Sequence, residues 1–147
     1  MDDLDKILSD YKHAADVGFY WDDPLQIIKQ IESELDEVKQ ELQQPNSETL
    51  QEELGDVLHA WITLVDFCGF DVKETIAYAR KKFENRFDAL QAIIQEEGAT
   101  DFKNFSRDQK LAFWDISIGD KYQLLTLGVP LQNFISRGNY VRNQYIQ

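Results

Sequence analysis

Cysteine, proline and glycine are scarce in this sequence. Its 147 residues contain one Cys, three Pro and seven Gly. With Cys68 alone, no disulfide can form within the chain, so a disulfide-stabilised scaffold is excluded. Gly and Pro fall between long stretches in which apolar residues recur every three or four positions, and this spacing is typical of helices rather than strands. The pattern therefore predicts an all-α fold.

Basic residues and long apolar runs are also scarce. The chain has 15 Lys and Arg against 27 Asp and Glu, a formal net charge of −12, which disfavours nucleic acid and anionic membranes as partners. No apolar run approaches the roughly 20 residues of a membrane span, and the acidic N-terminus does not resemble a signal or transit peptide. We therefore expect a cytoplasmic protein. Divalent cations would still allow so acidic a chain to bind an anionic nucleotide.

Apolar periodicity and helix caps divide the chain into helices. We expect four long helices over residues 2–17, 24–43, 47–68 and 72–97, and a short helix from Ser106 through Trp114. Pro24, preceded by two Asp residues, marks the start of the second helix. The predicted fold is a four-helix bundle with an extra short helix, residues 1–118. A tail, residues 119–147, is expected to pack on the bundle or on a neighbouring subunit.

Apolar seams predict which faces of the second and third helices are buried. The seam of the second helix consists of Ile28, Ile31, Leu35, Val38 and Leu42. The seam of the third consists of Leu50, Leu54, Val57, Trp61, Leu64 and Cys68. Both follow the three-four spacing of bundle helices.

Each of these two helices also carries a pair of acids three residues apart, Glu34 with Glu37 and Glu53 with Asp56. Side chains at this spacing lie on neighbouring turns of one helix face. Both pairs lie to the same rotational side of their seams, and the short connection around Pro45 makes the two helices antiparallel. We therefore expect the four acids to face one another, with Glu37 opposite Glu53 and Glu34 opposite Asp56.

Four converging carboxylates repel one another unless cations hold them, and hard oxygen ligands suit Mg²⁺ or Mn²⁺. A single pair of acids is usually only the solvated face of a helix, but two pairs matched in height and side favour a metal site. Zinc is disfavoured because His13 and His59 lack His or Cys partners at ligand spacing. Gly55, between Glu53 and Asp56, weakens its helix, which close helix packing or ligand approach would explain.

With these residues identified, the sequence resembles the MazG-type nucleotide pyrophosphohydrolases, whose pattern is E-E-x-x-E followed by E-E-x-x-D. The pattern stands here as S-E-L-D-E at residues 33–37 and E-E-L-G-D at 52–56. It is preceded by G-F-Y-W-D-D-P at 18–24 and followed by K-F-E-N-R-F at 82–87. The similarity extends over roughly residues 18–90, in an all-α family.

The resemblance implies hydrolysis of a nucleoside triphosphate to the monophosphate and pyrophosphate. It implies Mg²⁺ as cofactor, with Mn²⁺ as an alternative, held by Glu34, Glu37, Glu53 and Asp56. The ions would neutralise charge that develops on the phosphates. Glu37 or Glu52 would accept the proton of the attacking water.

Other residues are candidates for substrate contacts. Lys82 and Arg86 lie four apart on one helix face and would contact phosphate oxygens, although basic residues late in a helix also complement its dipole. Trp21 would stack on the nucleobase, although Trp is more often buried in a core or interface.

Two positions depart from the family pattern: Ser33 replaces the leading Glu found in many members, and Arg80 stands where related sequences often have Asn.

Four further points stay open at this stage. The resemblance points to a homodimer or homotetramer with sites at subunit junctions. A narrower dUTP or dCTP pyrophosphatase, or a phosphoribosyl-ATP pyrophosphohydrolase, would share the paired acids. From another class, a non-catalytic helical binding module would use its acids only for solubility. The preference for base and sugar does not follow from the sequence.

Overall fold

The structure is a computed structural model, and it describes residues 1–44 and 46–119. The regular elements of these residues are α1 (Asp3–Asp16), α2 (Pro24–Gln43), α3 (Ser47–Phe67), α4 (Val72–Glu96), a 3₁₀ turn (Phe102–Asn104) and α5 (Arg107–Gly119). The expected all-α fold is therefore confirmed. Within the described residues, no helix combines the length and apolar character that a bilayer crossing requires.

Local signals position the helix ends close to the predicted bounds. Side chains of Asp2, Asp23, Asn46 and Asp71 accept hydrogen bonds from backbone N–H groups in the first turns of α1 to α4. Glycines with positive φ, of 92°, 82° and 61°, follow α1, α3 and α4 at Gly18, Gly69 and Gly98. Such left-handed positions suit glycine because it lacks a Cβ. The last helix continues past the expected Trp114, because Ile116 is also buried in the core.

The chain forms two compact units whose boundary falls inside α4, and each has its own core. In the first unit, Met1–Ala77, α1 and α2 each pack on α3. Its buried cluster consists of Ile62, Val65 and Val72, and α1 covers it with Leu4, Ile7, Leu8 and Tyr11. α3 is therefore the central element of this unit.

The second unit begins at Tyr78. Its core joins Leu90 and Ile93 of α4 to Phe113 and Ile116 of α5. Around Phe113, the rings of Phe102 and Phe105 lie with centroids 5.3 and 5.7 Å away, in edge-to-face and tilted arrangements. Residues 120–147 lie outside the described part of the chain, so the expected domain of residues 1–118 and its tail stay predictions.

The predicted seam of α2 is wrong at three positions. Ile27 and Val38 are buried, whereas Ile28, Leu35 and Leu42 are 38%, 42% and 59% exposed. Ile31 and Val38 of the expected seam do face inward, but the buried face is turned towards Ile27 and Glu34. An apolar stripe consequently remains on the surface of α2.

The predicted seam of α3 is wrong at two positions. Leu54 is about half exposed and Cys68 lies exposed just beyond the end of the helix, whereas Val57, Trp61 and Leu64 are half-buried as expected. Glu34 of α2 and Glu53 of α3 are half-buried instead. The two helices therefore place carboxylates, rather than their full apolar stripes, beside one another.

Truncation of Ile93 tests the second core. We expect Ile93→Ala to lower the free energy of unfolding by about 2–5 kcal/mol, because it leaves a cavity among residues that cannot fully collapse. Tyr78→Ala, on the exposed surface of the same helix, is the matched control and should change it by less than about 0.5 kcal/mol. Urea denaturation followed by circular dichroism measures both, and equal losses would contradict the described core.

Candidate metal centre and adjoining cavity

Three carboxylates from two helices meet in the first unit. Oxygens of Glu34, Glu37 and Glu53 all lie within 4.8 Å of one another. Glu34 and Glu37 occupy neighbouring turns of α2, and Glu53 comes from α3, which packs against it. Glu34 and Glu53 are half-buried, while Glu37 is exposed. The group is therefore open to solvent on one side.

The chemistry of this group fits a hard divalent cation. Glu53 Oε2 is buried and has no hydrogen-bond partner among the described residues. The Gln30 side-chain amide donates to Glu34 Oε1, which leaves the rest of the group uncompensated. Like charges this close repel strongly where water is partly excluded, and an unsatisfied buried oxygen is costly. A cation that prefers carboxylate oxygens, such as Mg²⁺ or Mn²⁺, would relieve both costs.

Asp56 and Glu52, the other predicted acids of the site, lie outside this group. Asp56 follows Glu53 by three residues on α3 and is exposed, as is Glu52. Glu34 was expected opposite Asp56, but the structure groups it with Glu53. Of the four predicted metal ligands, three are thus brought together and one lies a turn further along.

The predicted substrate-binding residues fall in two units. Trp21 precedes α2 in the first unit, where it lines a cavity. Lys82 is exposed and Arg86 half-buried on α4, in the second unit. Arg80, the departure from the family pattern, donates to Glu84 with Nη1 and Oε1 2.5 Å apart. The roles of Trp21, Lys82 and Arg86 stay predictions.

The cavity in the first unit has a volume of about 500 Å³ and is lined mainly by apolar surface. Its aromatic lining consists of Tyr11, Phe19, Tyr20, Trp21 and Phe67. Its polar lining consists of Asp10, His59, Thr63 and Asp66. An apolar pocket of this size with a few polar groups is typical of small-molecule sites.

A hydrogen-bonded group forms one wall of the cavity. The Tyr11 hydroxyl donates to the backbone carbonyl of His59 at 2.9 Å, accepts from Thr63 Oγ1, and lies 2.8 Å from His59 Nδ1. Burial raises the pKa of the Tyr11 hydroxyl above its usual value; the hydrogen bond with Thr63 opposes this rise, and the charge of Asp66 adds to it. Tyr11 therefore remains neutral, and able to donate, at neutral pH.

Sequence reasoning missed this wall. The sequence excluded His59 only as a zinc ligand and gave Tyr11 no functional role, yet both line the cavity, and Tyr11 also packs against the core of the first unit. The available signal was the spacing of Asp56, His59, Thr63 and Asp66, which recur at three and four residues along one face of α3. The stripe begins at the predicted acids and continues into the cavity.

Comparisons with known proteins show what the chain is similar to. Residues 22–90 match the MazG nucleotide pyrophosphohydrolase domain. The chain is similar to the nucleoside triphosphate pyrophosphohydrolase/pyrophosphatase MazG of Thermotoga maritima, with 36% identity over 87 residues, 59% of this chain and 33% of the relative. It is also similar to a nucleoside triphosphate pyrophosphohydrolase of Escherichia coli K12, with 33% identity over 89 residues, 59% of this chain and 34% of the relative. The chain thus spans about a third of the length of these relatives.

Gly55 provides a test of the surface beside the acids. A Cβ at this position would meet no described atom within 4 Å, so the expected close packing is not found within the described chain. We expect Gly55→Ala to raise the free energy of unfolding by about 1 kcal/mol, since alanine favours the helix. Gly69→Ala, at a φ of 82°, should lower it because the left-handed backbone strains alanine. Thermal or urea unfolding measures both, and destabilisation by Gly55→Ala would indicate a close contact at this surface.

Proposed function

We propose, from the premise that residues 22–90 form a MazG nucleotide pyrophosphohydrolase domain, that this protein hydrolyses nucleoside triphosphates to monophosphate and pyrophosphate. The observation that carries the proposal is the group of three carboxylates, Glu34, Glu37 and Glu53, held together by two packed helices. A binding module that used its acids only for solubility would not need a buried carboxylate oxygen without a partner among the described residues.

The proposed cofactor is Mg²⁺, with Mn²⁺ as the alternative. Glu34, Glu37 and Glu53 would hold it, and Asp56 would complete the set from the next turn of α3. The ion would neutralise charge on the phosphate oxygens during hydrolysis. The protein would contribute ligands that the packing of α2 on α3 brings together before the substrate arrives.

Glu52 is the proposed acceptor of the proton from the attacking water. Its side chain is exposed on α3 and lies outside the group of three. A carboxylate oxygen that contacts no cation is available to accept a proton. Glu37, the exposed member of the group, is the second candidate, through the oxygen that would not contact the ion.

The nucleoside would occupy the aromatic cavity. His59 follows Asp56 by three residues, about 4.5 Å along the helix axis, so the cavity wall begins one turn from the acids. Trp21 would stack on the base there. The volume of about 500 Å³ is within the range of small-molecule sites.

Lys82 and Arg86 are the proposed phosphate contacts. They lie four residues apart on α4, so their side chains share one helix face. A guanidinium can bind two phosphate oxygens at once, while an ammonium acts as a point charge. Together they would offset the negative charge that a triphosphate brings to an acidic protein.

The exposed apolar stripe suggests how the protein assembles. Ile28, Leu35, Leu42, Leu54 and Leu58 are all exposed on α2 and α3. Apolar surface rimmed by charged residues favours a protein contact, and a second copy of the chain offers the same stripe, as a two-fold interface requires. We propose a homodimer or homotetramer on this surface.

A charge within the stripe tests the assembly. We expect Leu35→Asp to shift the protein towards monomers, because pairing would bury the carboxylate in an apolar contact. Gln40→Asp adds the same charge at an exposed polar position of α2 and is the control. Light scattering after size exclusion measures the mass; a monomeric wild type, or an unchanged mass for Leu35→Asp, would contradict the interface.

Substitution of Glu53 tests the reaction. We expect Mg²⁺-dependent release of pyrophosphate and monophosphate from nucleoside triphosphates, inhibited by EDTA. Glu53→Gln should keep the helical circular dichroism and lose at least about a hundredfold in turnover, since ligand loss costs more than the 10–100-fold typical of outer-shell partners. Glu32→Gln, an exposed acid of α2 outside the group, should retain activity.

The outcomes of this experiment separate the open alternatives. Full activity of Glu53→Gln would remove this residue from the site. No turnover by the wild type with any ribo- or deoxyribonucleoside triphosphate would contradict the proposed reaction and favour a binding module.

A further inference from the structure

Most polar groups of the aromatic cavity already have partners within the chain. The Tyr11 hydroxyl and Thr63 Oγ1 each lie 2.9 Å from the backbone carbonyl of His59, and Thr63 also donates to Tyr11. Asp10 forms an ion pair with Lys6, with Oδ1 and Nζ 2.6 Å apart. The hydrogen-bonding capacity of these groups is therefore largely used within the protein.

Asp66 differs from them. Its carboxylate has no hydrogen bond or ion pair within the described residues, although its charge acts on Tyr11 across the cavity wall. It also lies in the last turn of α3, which ends at Phe67, and a negative charge at a helix C-terminus is unfavourable to the helix dipole. A residue that breaks a local rule without compensation among the described residues is typical of a binding position.

The position of Asp66 along α3 determines its distance from the acids of the candidate metal centre. It follows Asp56 by ten residues, which corresponds to about 15 Å along the helix axis. This length is comparable to that of a nucleotide from its α-phosphate to the far edge of its base. With phosphates at the carboxylates and the base in the cavity, Asp66 lies near the far edge of the base.

Resting on the proposed function, we infer that Asp66 selects nucleobases that carry an exocyclic amino group. A carboxylate is only an acceptor, and adenine N6, cytosine N4 and guanine N1 and N2 are donors. In uracil and thymine, the N3–H donor is flanked by two carbonyl oxygens, which the carboxylate repels. The site therefore favours adenine, cytosine and guanine triphosphates.

Two substrate pairs isolate this contact. dCTP and dUTP differ at the cytosine amino group, and dATP and dITP differ in the same way at position 6 of a purine. We expect the wild type to prefer the amino-bearing member of each pair by about tenfold in kcat/KM, in line with a hydrogen bond to a charged group. The preference should appear mainly in KM, because the base is remote from the reacting phosphate.

Asp66→Asn is the decisive variant, since it keeps the shape and removes the charge. An amide presents either a donor or an acceptor by rotation, so both ratios should fall to near one while the unfolding temperature is unchanged or higher. Asp16→Asn, an exposed acid at the end of α1 outside the cavity lining, is the charge-matched control and should keep the wild-type ratios.

The outcomes distinguish this inference from the proposed function. Turnover of both members of each pair with equal kcat/KM in the wild type, or ratios that Asp66→Asn leaves unchanged, would overturn the role of Asp66 and leave the reaction intact. Absence of turnover with all four triphosphates would overturn the reaction itself, and the inference with it.

Discussion

The repulsion among three carboxylates is the main physical constraint on the packing of α2 against α3 in the first unit. Glu34, Glu37 and Glu53 stand within 4.8 Å of one another because α2 and α3 pack along the face that carries them. Without a cation, this packing places like charges beside a buried oxygen that has no partner among the described residues. Burial of the apolar side chains of Ile27 and Val38 on α2 offsets this cost. The packing of α2 on α3 therefore determines both the stability of the first unit and the proposed activity.

The same constraint accounts for features that a helix pair selected only for stability would not show. Since α2 turns Glu34 rather than Leu35 inward, Leu35 and its apolar neighbours remain exposed, and we propose that a second copy covers them. Along α3, Gly55 weakens the helix without a described packing reason, and Asp66 opposes the helix dipole. In our proposal, Gly55 leaves room beside the acids and Asp66 contacts the nucleobase. Gly55 and Asp66 thus both lower the local stability of α3, and both lie along the part of the helix beside which we propose that the substrate binds.

The sequence was sufficient for features that depend on near neighbours. Caps such as Asp23 predict the helix starts, because the cap and its partner are only two residues apart. The meeting of acids from α2 and α3 followed from spacing and a short connection. The rotation of α2 did not follow, because its apolar residues cover more than one face and both Ile27 and Ile28 were available for burial. The cavity was missed for a different reason: Tyr11 meets His59 across 48 residues, and no local pattern reports such a contact.

The most direct test of the central claim is a titration of thermal unfolding with Mg²⁺, without nucleotide, for the wild type and Glu53→Gln. If the three carboxylates hold a cation, the unfolding temperature of the wild type rises with Mg²⁺ concentration, corresponding to about 2.7 kcal/mol at a hundredfold excess over the dissociation constant. Glu53→Gln should equal or exceed the wild type in EDTA, because one repelling charge is gone, and should respond weakly to Mg²⁺. Equal responses of the two proteins, or no response of the wild type, would contradict a metal site at these residues.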